Sequence, residues 1–290
     1  MKEQRSFVDN SKGCLFLVPT PIGNLEDMTF RAVNTLKAVD LVAAEDTRNT
    51  KNLLNHFEIP TELISFHEHN TAQRIPELIE KMNDGLKIAQ VSDAGAPSIS
   101  DPGKELVKAA IKADIPVVPL PGATASITAL IASGIEPQPF YFFGFLPRKG
   151  KERTEALENL AKRSETSIVY ESPYRVKKTI QDLIKNFGED RRITLARELT
   201  KIHEAFLRGT LAQVADYYEE NDPKGEYVLI IAGKPEETVE AESDTDLVAA
   251  VDNLIKQGQK PNKAIKEVAT QNGLKKQEVY NLYHGIGEEA

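Results

Sequence analysis

The chain of 290 residues has a single cysteine, Cys14, and no apolar run near the roughly 20 residues of a membrane span. A lone cysteine excludes an internal disulfide and a multi-cysteine zinc site, and it fits a reducing compartment. Met1–Gly13 is polar and lacks a signal-peptide pattern, so a cytoplasmic protein with no membrane partner is expected. Positive charge is in short supply. The 36 Lys and Arg face 44 Asp and Glu, a formal net charge of −8, so any RNA or DNA contact must come from local patches. The first βα loop has only Gly23, which excludes the G-x-G-x-x-G of a dinucleotide fold. Gly103-Lys104 has neither the upstream glycine nor the following Ser or Thr of a phosphate loop, and no G-x-S-x-G elbow is present. His67 and His69 have no third ligand nearby, so they read as solvated loop histidines and no metal is expected.

What is present is an ordinary globular composition, 40% hydrophobic and 28% charged, enough to build two or three domains. From Leu15 to Leu120 the pattern alternates: strands at Leu15–Val18, Leu41–Ala44, Leu63–Phe66, Lys87–Val91 and Pro116–Leu120, with amphipathic helices at Thr29–Val39, Thr47–His56, Thr71–Asn83 and Asp101–Ala113. Such alternation predicts an α/β domain with a mainly parallel sheet covered on both faces, and ligands then belong at the carboxyl ends of its strands. Those ends carry Pro19–Asn24, Glu45-Asp46-Thr47-Arg48, His67–Asn70, Val91–Gly103 and Pro121–Ser126, a concentration of Gly, Pro and polar residues at one edge. The longest, Val91–Gly103, exceeds the usual 2 to 6 residues or so of a βα connection and reads as a ligand loop leading into a helix capped by Asp101. Pro121–Ser126 opens a further helix with small residues, where a flat ligand could approach the backbone closely.

After Gly134 the pattern restarts. Strands are predicted at Phe140–Phe145, Ser167–Tyr170, Ile193–Ala196, His203–Leu207 and Tyr227–Ala232, and helices at Lys151–Arg163, Pro173–Phe187 and Leu211–Tyr218. The turn at Glu198–Lys201 makes an antiparallel hairpin, so this second α/β domain is mixed. The expected organisation is a flexible N-terminus at 1–13, domains at 14–134 and 135–234, an acidic linker at 235–246 and a helical module at 247–290. That module reads as three helices, Leu247–Lys256, Pro261–Gln271 and Lys275–Tyr283. Val268, Ala269, Gly273, Leu274, Val279 and Leu282 have the spacing of a helix-turn-helix. Between Val248 and Ile286 six Lys face Asp252, Glu267 and Glu278, and Arg148, Lys149, Lys151 and Arg153 form a second basic patch. Such patches are RNA-contact candidates or simply solvated faces.

Val18–Leu25, Ala44–Arg48, Ser92–Gly103, Pro121–Ala125, Tyr170–Arg175 and Ala196–Lys201 together resemble, in order, the ribosomal-RNA ribose methyltransferase branch of the tetrapyrrole methylase superfamily. The resemblance spans about Leu15 to Ala232, and the helical tail is similar to one found in many members. It implies two α/β domains with S-adenosylmethionine between them, usually in a homodimer, and transfer of a methyl group to a cytidine 2′-oxygen in the 16S rRNA of the small ribosomal subunit. By the same resemblance, cofactor contacts fall on Pro21, on Asp93, Ala94, Gly95 and Ala96, on Ser98, Ile99 and Ser100, and on Pro121, Gly122, Ala123, Thr124 and Ala125. Tyr170 and Glu171, with the strand near Gly225–Tyr227, complete the pocket from the second domain.

A ribose hydroxyl is a poor nucleophile, so placement of reactants and a base or cation near the oxygen are what the chain must supply. Glu45 or Asp46 as base, and Arg48 or Lys201 toward RNA phosphate or the developing alkoxide, are the expected catalytic groups. An interdomain salt-bridge network would use the same residues. RNA contacts are expected at Arg148, Lys149, Lys151, Arg197, Lys275 and Lys276. Two other readings stay open from sequence: carbon methylation of a tetrapyrrole, and a non-catalytic ribosome-binding assembly factor that keeps the cofactor pocket.

Overall fold

The computed structural model describes residues 3–6, 13–235 and 244–286. Its first half runs β1 (Leu15–Leu17), α1 (Phe30–Ala38), β2 (Leu41–Ala44), α2 (Thr47–His56), β3 (Glu62–Ser65), α3 (Thr71–Asn83), β4 (Ile88–Val91), α4 (Gly103–Lys112), β5 (Val117–Pro119) and α5 (Ala125–Ile131). The five strands pair in the order β3-β2-β4-β1-β5, all parallel. Leu36 of α1 and Leu54 of α2 pack in the core on one face, while Leu78 and Met82 of α3 and Leu106 of α4 pack in the core on the other. Burial on both faces is why β2 and β4 are short runs with every residue inside.

That arrangement creates a switch point. β1 and β4 are neighbours, yet the helices that follow them lie on opposite faces, and the carboxyl edge at such a point is where a doubly wound sheet forms its ligand crevice.

The second half runs β6 (Phe140–Phe145), α6 (Lys151–Ala161), β7 (Thr166–Glu171), α7 (Pro173–Phe187), β8 (Arg192–Arg197), β9 (Ala205–Thr210), α8 (Leu211–Glu220) and β10 (Tyr227–Ile231). The strand order is β6-β7-β10-β8-β9; β6 and β7 are parallel and the remaining pairs antiparallel. Helices α6, α7 and α8 cover one face through Leu160, Ile180, Leu183 and Leu211. The other face receives α5, whose Ala129 and Leu130 pack against Ile168, Ala196, Val228 and Ile230. Helix α5 therefore joins the two sheets, and both lie within one compact unit, Met1–Lys234.

Residues Pro235–Ala290 make a second unit of α9 (Asp244–Lys256), α10 (Pro261–Gln271) and α11 (Lys276–Tyr283). Leu247, Val251, Ile265, Val268, Ala269 and Val279 form its core, and Gly273 takes φ +66° at the turn between the last two helices.

Several boundaries differ from the sequence reading. Asp244–Asp246, expected in the linker, belong to α9, and positions 236–243 of that linker lie outside the described residues. Leu274, at the turn of the expected helix-turn-helix spacing, is 38% exposed. At the N-terminus, where a flexible segment was expected, the Gln4 side chain accepts from Val117 N and donates to Val117 O, both at 2.9 Å, which satisfies the open edge of β5; positions 7–12 lie outside the described residues. Strand β9 runs Ala205–Thr210 rather than His203–Leu207, because its register with β8 sets Ala205 opposite Arg197 at one end and Thr210 opposite Arg192 at the other.

Candidate functional site

The crevice is walled by the loops after β1, β4 and β5. Thr20 and Gly95 exchange both backbone hydrogen bonds at 3.0 Å, an antiparallel bridge that ties the first loop to the fourth. The Thr20 hydroxyl donates to Ser92 O at 3.1 Å, and the Ser92 hydroxyl to Gly95 O at 3.2 Å. Gly95 sits at φ +77°, and a Cβ there would stand 3.3 Å from Ile22 Cγ2 and 3.5 Å from Ala123 O. Three of the predicted cofactor segments, around Pro21, Gly95 and Ala123, thus meet at this glycine. Gly122 lies over Pro19, where a Cβ would come within 2.6 Å of the proline ring. Asp93, Ala94, Ile99, Ser100, Pro121 and Gly122 are exposed, while Pro21, Ala96, Ser98, Ala123, Thr124 and Ala125 are half-buried.

Behind the exposed loop is a buried polar knot. Asp101 Oδ1 accepts from Gly103 N at 2.8 Å and from Gln90 Nε2 at 3.0 Å; Oδ2 accepts from Ser98 N at 2.6 Å. The Ser98 hydroxyl donates to Gln90 Oε1 at 3.1 Å. These bonds hold Ser98 at φ +70°, a left-handed conformation that costs a non-glycine residue about 1–3 kcal/mol. Asp101 accepts the N–H of the first helical residue, but the N-cap position of α4 is Pro102 rather than the expected Asp101, whose carboxylate also closes the loop back onto Ser98. Gly103 is enclosed: a Cβ would collide with Gln90 Oε1 and stand 2.6 Å from Ser98 Oγ and 2.7 Å from Asp101 Oδ1. Sequence reasoning placed Thr20 and Ser92 in the strand-end segments without giving them a role, and missed Gln90. The available signal was a glutamine inside the otherwise apolar strand Ile88–Val91.

Carboxylates gather at the same edge. Burial pushes the Glu45 carboxyl above its ordinary value, and the negative charges of Asp93, Asp101 and Glu68 push it further. Asp46 behaves in the opposite way: hydrogen bonds from the Arg48 side chain and backbone hold its carboxyl at about 2. Arg48 donates through Nη2 to Asp46 Oδ2 at 2.7 Å and through Nε to Oδ1 at 3.1 Å, with its side chain 89% exposed. Asp46 N donates to Asp93 Oδ1 at 3.0 Å, which fixes the second loop against the fourth. Among the candidate bases, then, Glu45 is the group whose proton affinity is raised, and Asp46 is tied to the neighbouring cation. Asp46 also accepts the Arg48 backbone N–H at 2.8 Å, so its carboxylate starts α2 as well as pairing with the guanidinium.

From the second sheet, the Tyr170 hydroxyl accepts from Ser126 N at 3.1 Å, at the first turn of α5. Glu171 is turned the other way. Its side chain is 1% exposed and accepts from Arg175 Nε at 2.9 Å, Thr179 Oγ1 at 2.7 Å and Ser172 N at 2.8 Å. Lys201 Nζ donates to Glu198 Oε1 and Glu226 Oε2, each at 2.9 Å, and its stem lies beside Gly23, where a Cβ would meet Lys201 Cγ at 2.5 Å. Burial alone would lower the lysine's proton affinity, but the two carboxylates outweigh it and hold the ammonium charged. The structure thus brings Lys201 to the first loop as part of an ion-pair cluster. Gly225, opposite, has no room for a Cβ beside the Glu198 side chain.

The RNA-contact candidates fall in separate places. Arg148 and Lys149 are exposed on the loop between β6 and α6; Lys151 pairs with Glu155 at 3.5 Å; Arg197 Nη2 donates to His203 O at 3.4 Å. Arg153, from the same sequence patch, is buried and paired with Asp182 at 2.9 Å. Lys275 and Lys276 are exposed at the start of α11 in the other unit. Among the described residues no group of three or more His, Cys, Asp or Glu could hold a metal ion, and no helix is long and apolar enough to cross a membrane.

A doubly wound parallel sheet joined through one helix to a mixed sheet, with its loops converging at the switch point, defines a class. The chain belongs to the Tetrapyrrole (Corrin/Porphyrin) Methylases, whose family pattern it matches over residues 14–215. Within that family it is 53% identical, over 99% of this chain and 100% of the relative, to ribosomal RNA small subunit methyltransferase I of Streptococcus pyogenes serotype M1. It is 50% identical, over 98% of this chain and 99% of the relative, to the protein of the same name from Bacillus subtilis strain 168. Among solved structures, uroporphyrin-III C-methyl transferase from Thermus thermophilus complexed with S-adenyl homocysteine superposes with a TM-score of 0.54 at 17% identity, covering 76% of this chain and 97% of that one. At that identity the likeness is one of fold.

Proposed function

We propose that the chain is an S-adenosylmethionine-dependent methyltransferase acting on small-subunit ribosomal RNA, and that the acceptor is a cytidine ribose 2′-oxygen. The single observation that carries this reading is the end-to-end identity of about half of all residues with relatives named for that activity. The crevice fits the cofactor. Glycine and alanine at Gly95, Ala94, Ala96 and Ala123 leave backbone within reach of a flat ligand, and the carboxylates of Glu45, Asp93 and Asp101 favour a cation. When bound, S-adenosylmethionine supplies an electrophilic methyl group on a positively charged sulfur.

The chain's part is placement and proton handling. The Thr20–Gly95 bridge and the Asp101 knot fix the loops that would hold the cofactor, and fixed reactants can supply roughly 7–11 kcal/mol of a barrier. As the ribose oxygen gains the methyl group it loses its proton, and Glu45 is the group we assign to receive it. A carboxylate whose proton affinity is raised by burial and like charge is a better base than an ordinary one. Arg48 retains donors beyond those that hold Asp46 and can reach a phosphate from an exposed position. Lys201, held beside Gly23, is assigned to the same negative charge. The reading includes a homodimer and action in the cytoplasm.

The test is transfer of labelled methyl from S-adenosylmethionine to purified small ribosomal subunits lacking the modification, with naked 16S rRNA and large subunits in parallel, and mapping of the product. Label on one cytidine 2′-oxygen of the small subunit is the expected result. Cofactor binding without transfer to any of the three would sink the enzyme reading and favour an assembly factor; sedimentation of the same preparation reads the oligomer.

A further inference from the structure

Strand β6 carries an irregularity whose effect is local and chemical. Its register against β7 shifts between Phe142 and Gly144, with Gly144 at φ +81°. In a regular strand, residues three apart point to opposite faces. Here Phe142 and Phe145 both pack on the Tyr170 ring, with centroid distances of 5.1 and 5.5 Å, because the extra residue re-aims the strand end. Phe142 is half-buried, whereas Phe145 is 61% exposed. Tyr170 in turn bonds Ser126 N, so an exposed aromatic ring stands one ring away from the loop that leads into α5.

The chain that follows is basic and fixed at its root. Arg175 Nη2 donates to Leu146 O at 2.9 Å and Arg153 Nη1 to Pro147 O at 3.0 Å; both guanidiniums are themselves held, by Glu171 and by Asp182. Beyond that root, Arg148 and Lys149 are exposed, and among the described residues neither has an ion-pair partner. Pro147–Lys151 contains three cations and no acid, in a protein of net charge −8. An exposed ring backed by a second ring, followed by free cations on a loop held at its root, is what sequence-tolerant binding of single-stranded nucleic acid uses: a face for a base and charges for the adjoining phosphates.

We propose that Phe145 is the stacking platform for an unpaired nucleotide of the RNA substrate beside the methyl-transfer site, with Arg148 and Lys149 holding the phosphates next to it. This rests on the RNA methyltransferase reading and names how that site takes its substrate. The bulge at Gly144 serves to place the ring, and the Glu171 and Asp182 networks serve to hold the loop.

The test is equilibrium binding of the full chain to small ribosomal subunits lacking the modification, with methyl transfer measured on the same preparations. Phe145→Ala is expected to weaken subunit binding, and to raise KM for subunits, by about tenfold, with KM for S-adenosylmethionine unchanged and Phe145→Trp restoring both to within about threefold. The double variant R148E/K149E is expected to weaken binding further and to flatten its salt dependence. Unchanged binding of Phe145→Ala, or no rescue by Phe145→Trp, overturns the proposal. So does a changed sedimentation coefficient in Phe145→Ala, which would assign the ring to a protein–protein contact. If the unaltered chain binds subunits but transfers no methyl, the methyltransferase reading fails, while the binding comparison still decides this one.

Discussion

At the carboxyl edge of the first sheet the loops are held by backbone amides, hydroxyls and one buried carboxylate, Asp101. At the corresponding end of β7 the holding is ionic: Glu171 binds Arg175 and Thr179, and Thr179 accepts from Arg153, which pairs with Asp182. The difference follows from what each edge must leave free. Long side chains would fill the crevice between β1 and β4, so small residues and main-chain bonds do the holding there. The second sheet presents rings and cations outward, and buried ion pairs brace them from behind without occupying the surface.

The contrast can be broken most forcefully at Glu171. Glu171→Ala removes the buried carboxylate that partners the Arg175 guanidinium and the Thr179 hydroxyl, and a loss of about 3–5 kcal/mol in unfolding free energy is expected by chemical denaturation. Next is Gly103→Ala, whose Cβ would collide with Gln90 and crowd Ser98 and Asp101. About 1–3 kcal/mol of destabilisation is expected, with a larger fractional loss in S-adenosylhomocysteine affinity by calorimetry, since the knot is what shapes the ligand loop.

A pH measurement sharpens the picture at Glu45. If it is the base, kcat/KM rises with pH through its raised pKa, and Glu45→Gln loses both most of the activity and that acid limb. The stability sign is the reverse of the usual carboxylate case. A group whose pKa is raised on folding binds its proton more tightly in the native state, so its contribution is present below the unfolded value and is lost as pH rises through the folded one. Glu45→Gln is therefore expected to be at least as stable as the parent at neutral pH, by thermal melts. The smallest effect belongs to Asp46→Asn. The pKa near 2 means the contribution of the Asp46–Arg48 pair is fully present at neutral pH and is lost only as pH falls from about 3.8 toward that value. Because the pair is solvent-screened and Asn caps a helix about as well as Asp, the melting temperature at neutral pH is nonetheless expected to be nearly unchanged.

Much of this was legible from residue pattern. Leu41–Ala44 is apolar throughout, and Ile88–Val91 apolar but for Gln90, because both faces are covered, and Thr47–His56 keeps its helix from the Asp46 cap to the last turn. Pairing decided what propensity could not: the apolar run ends at Leu207, yet β8 holds Arg208, Gly209 and Thr210 in β9. Small residues at Pro121–Thr124 read as a helix start, but α5 begins at Ala125, leaving those residues as crevice wall. The site's location at the strand ends could be read from Gly and Pro placement, whereas its bracing could not. That Glu171 faces Arg175 and Thr179, or that Phe142 and Phe145 share one face, depends on bond geometry several residues away from any motif.

The reciprocal bonds between Thr20 and Gly95 also bear on time. A loop already zipped to its neighbour gives up little freedom when a small molecule arrives, so capture runs at the pace of encounter and waits on no folding step. Discrimination between a fresh methyl donor and its spent form then falls to how fast each one leaves.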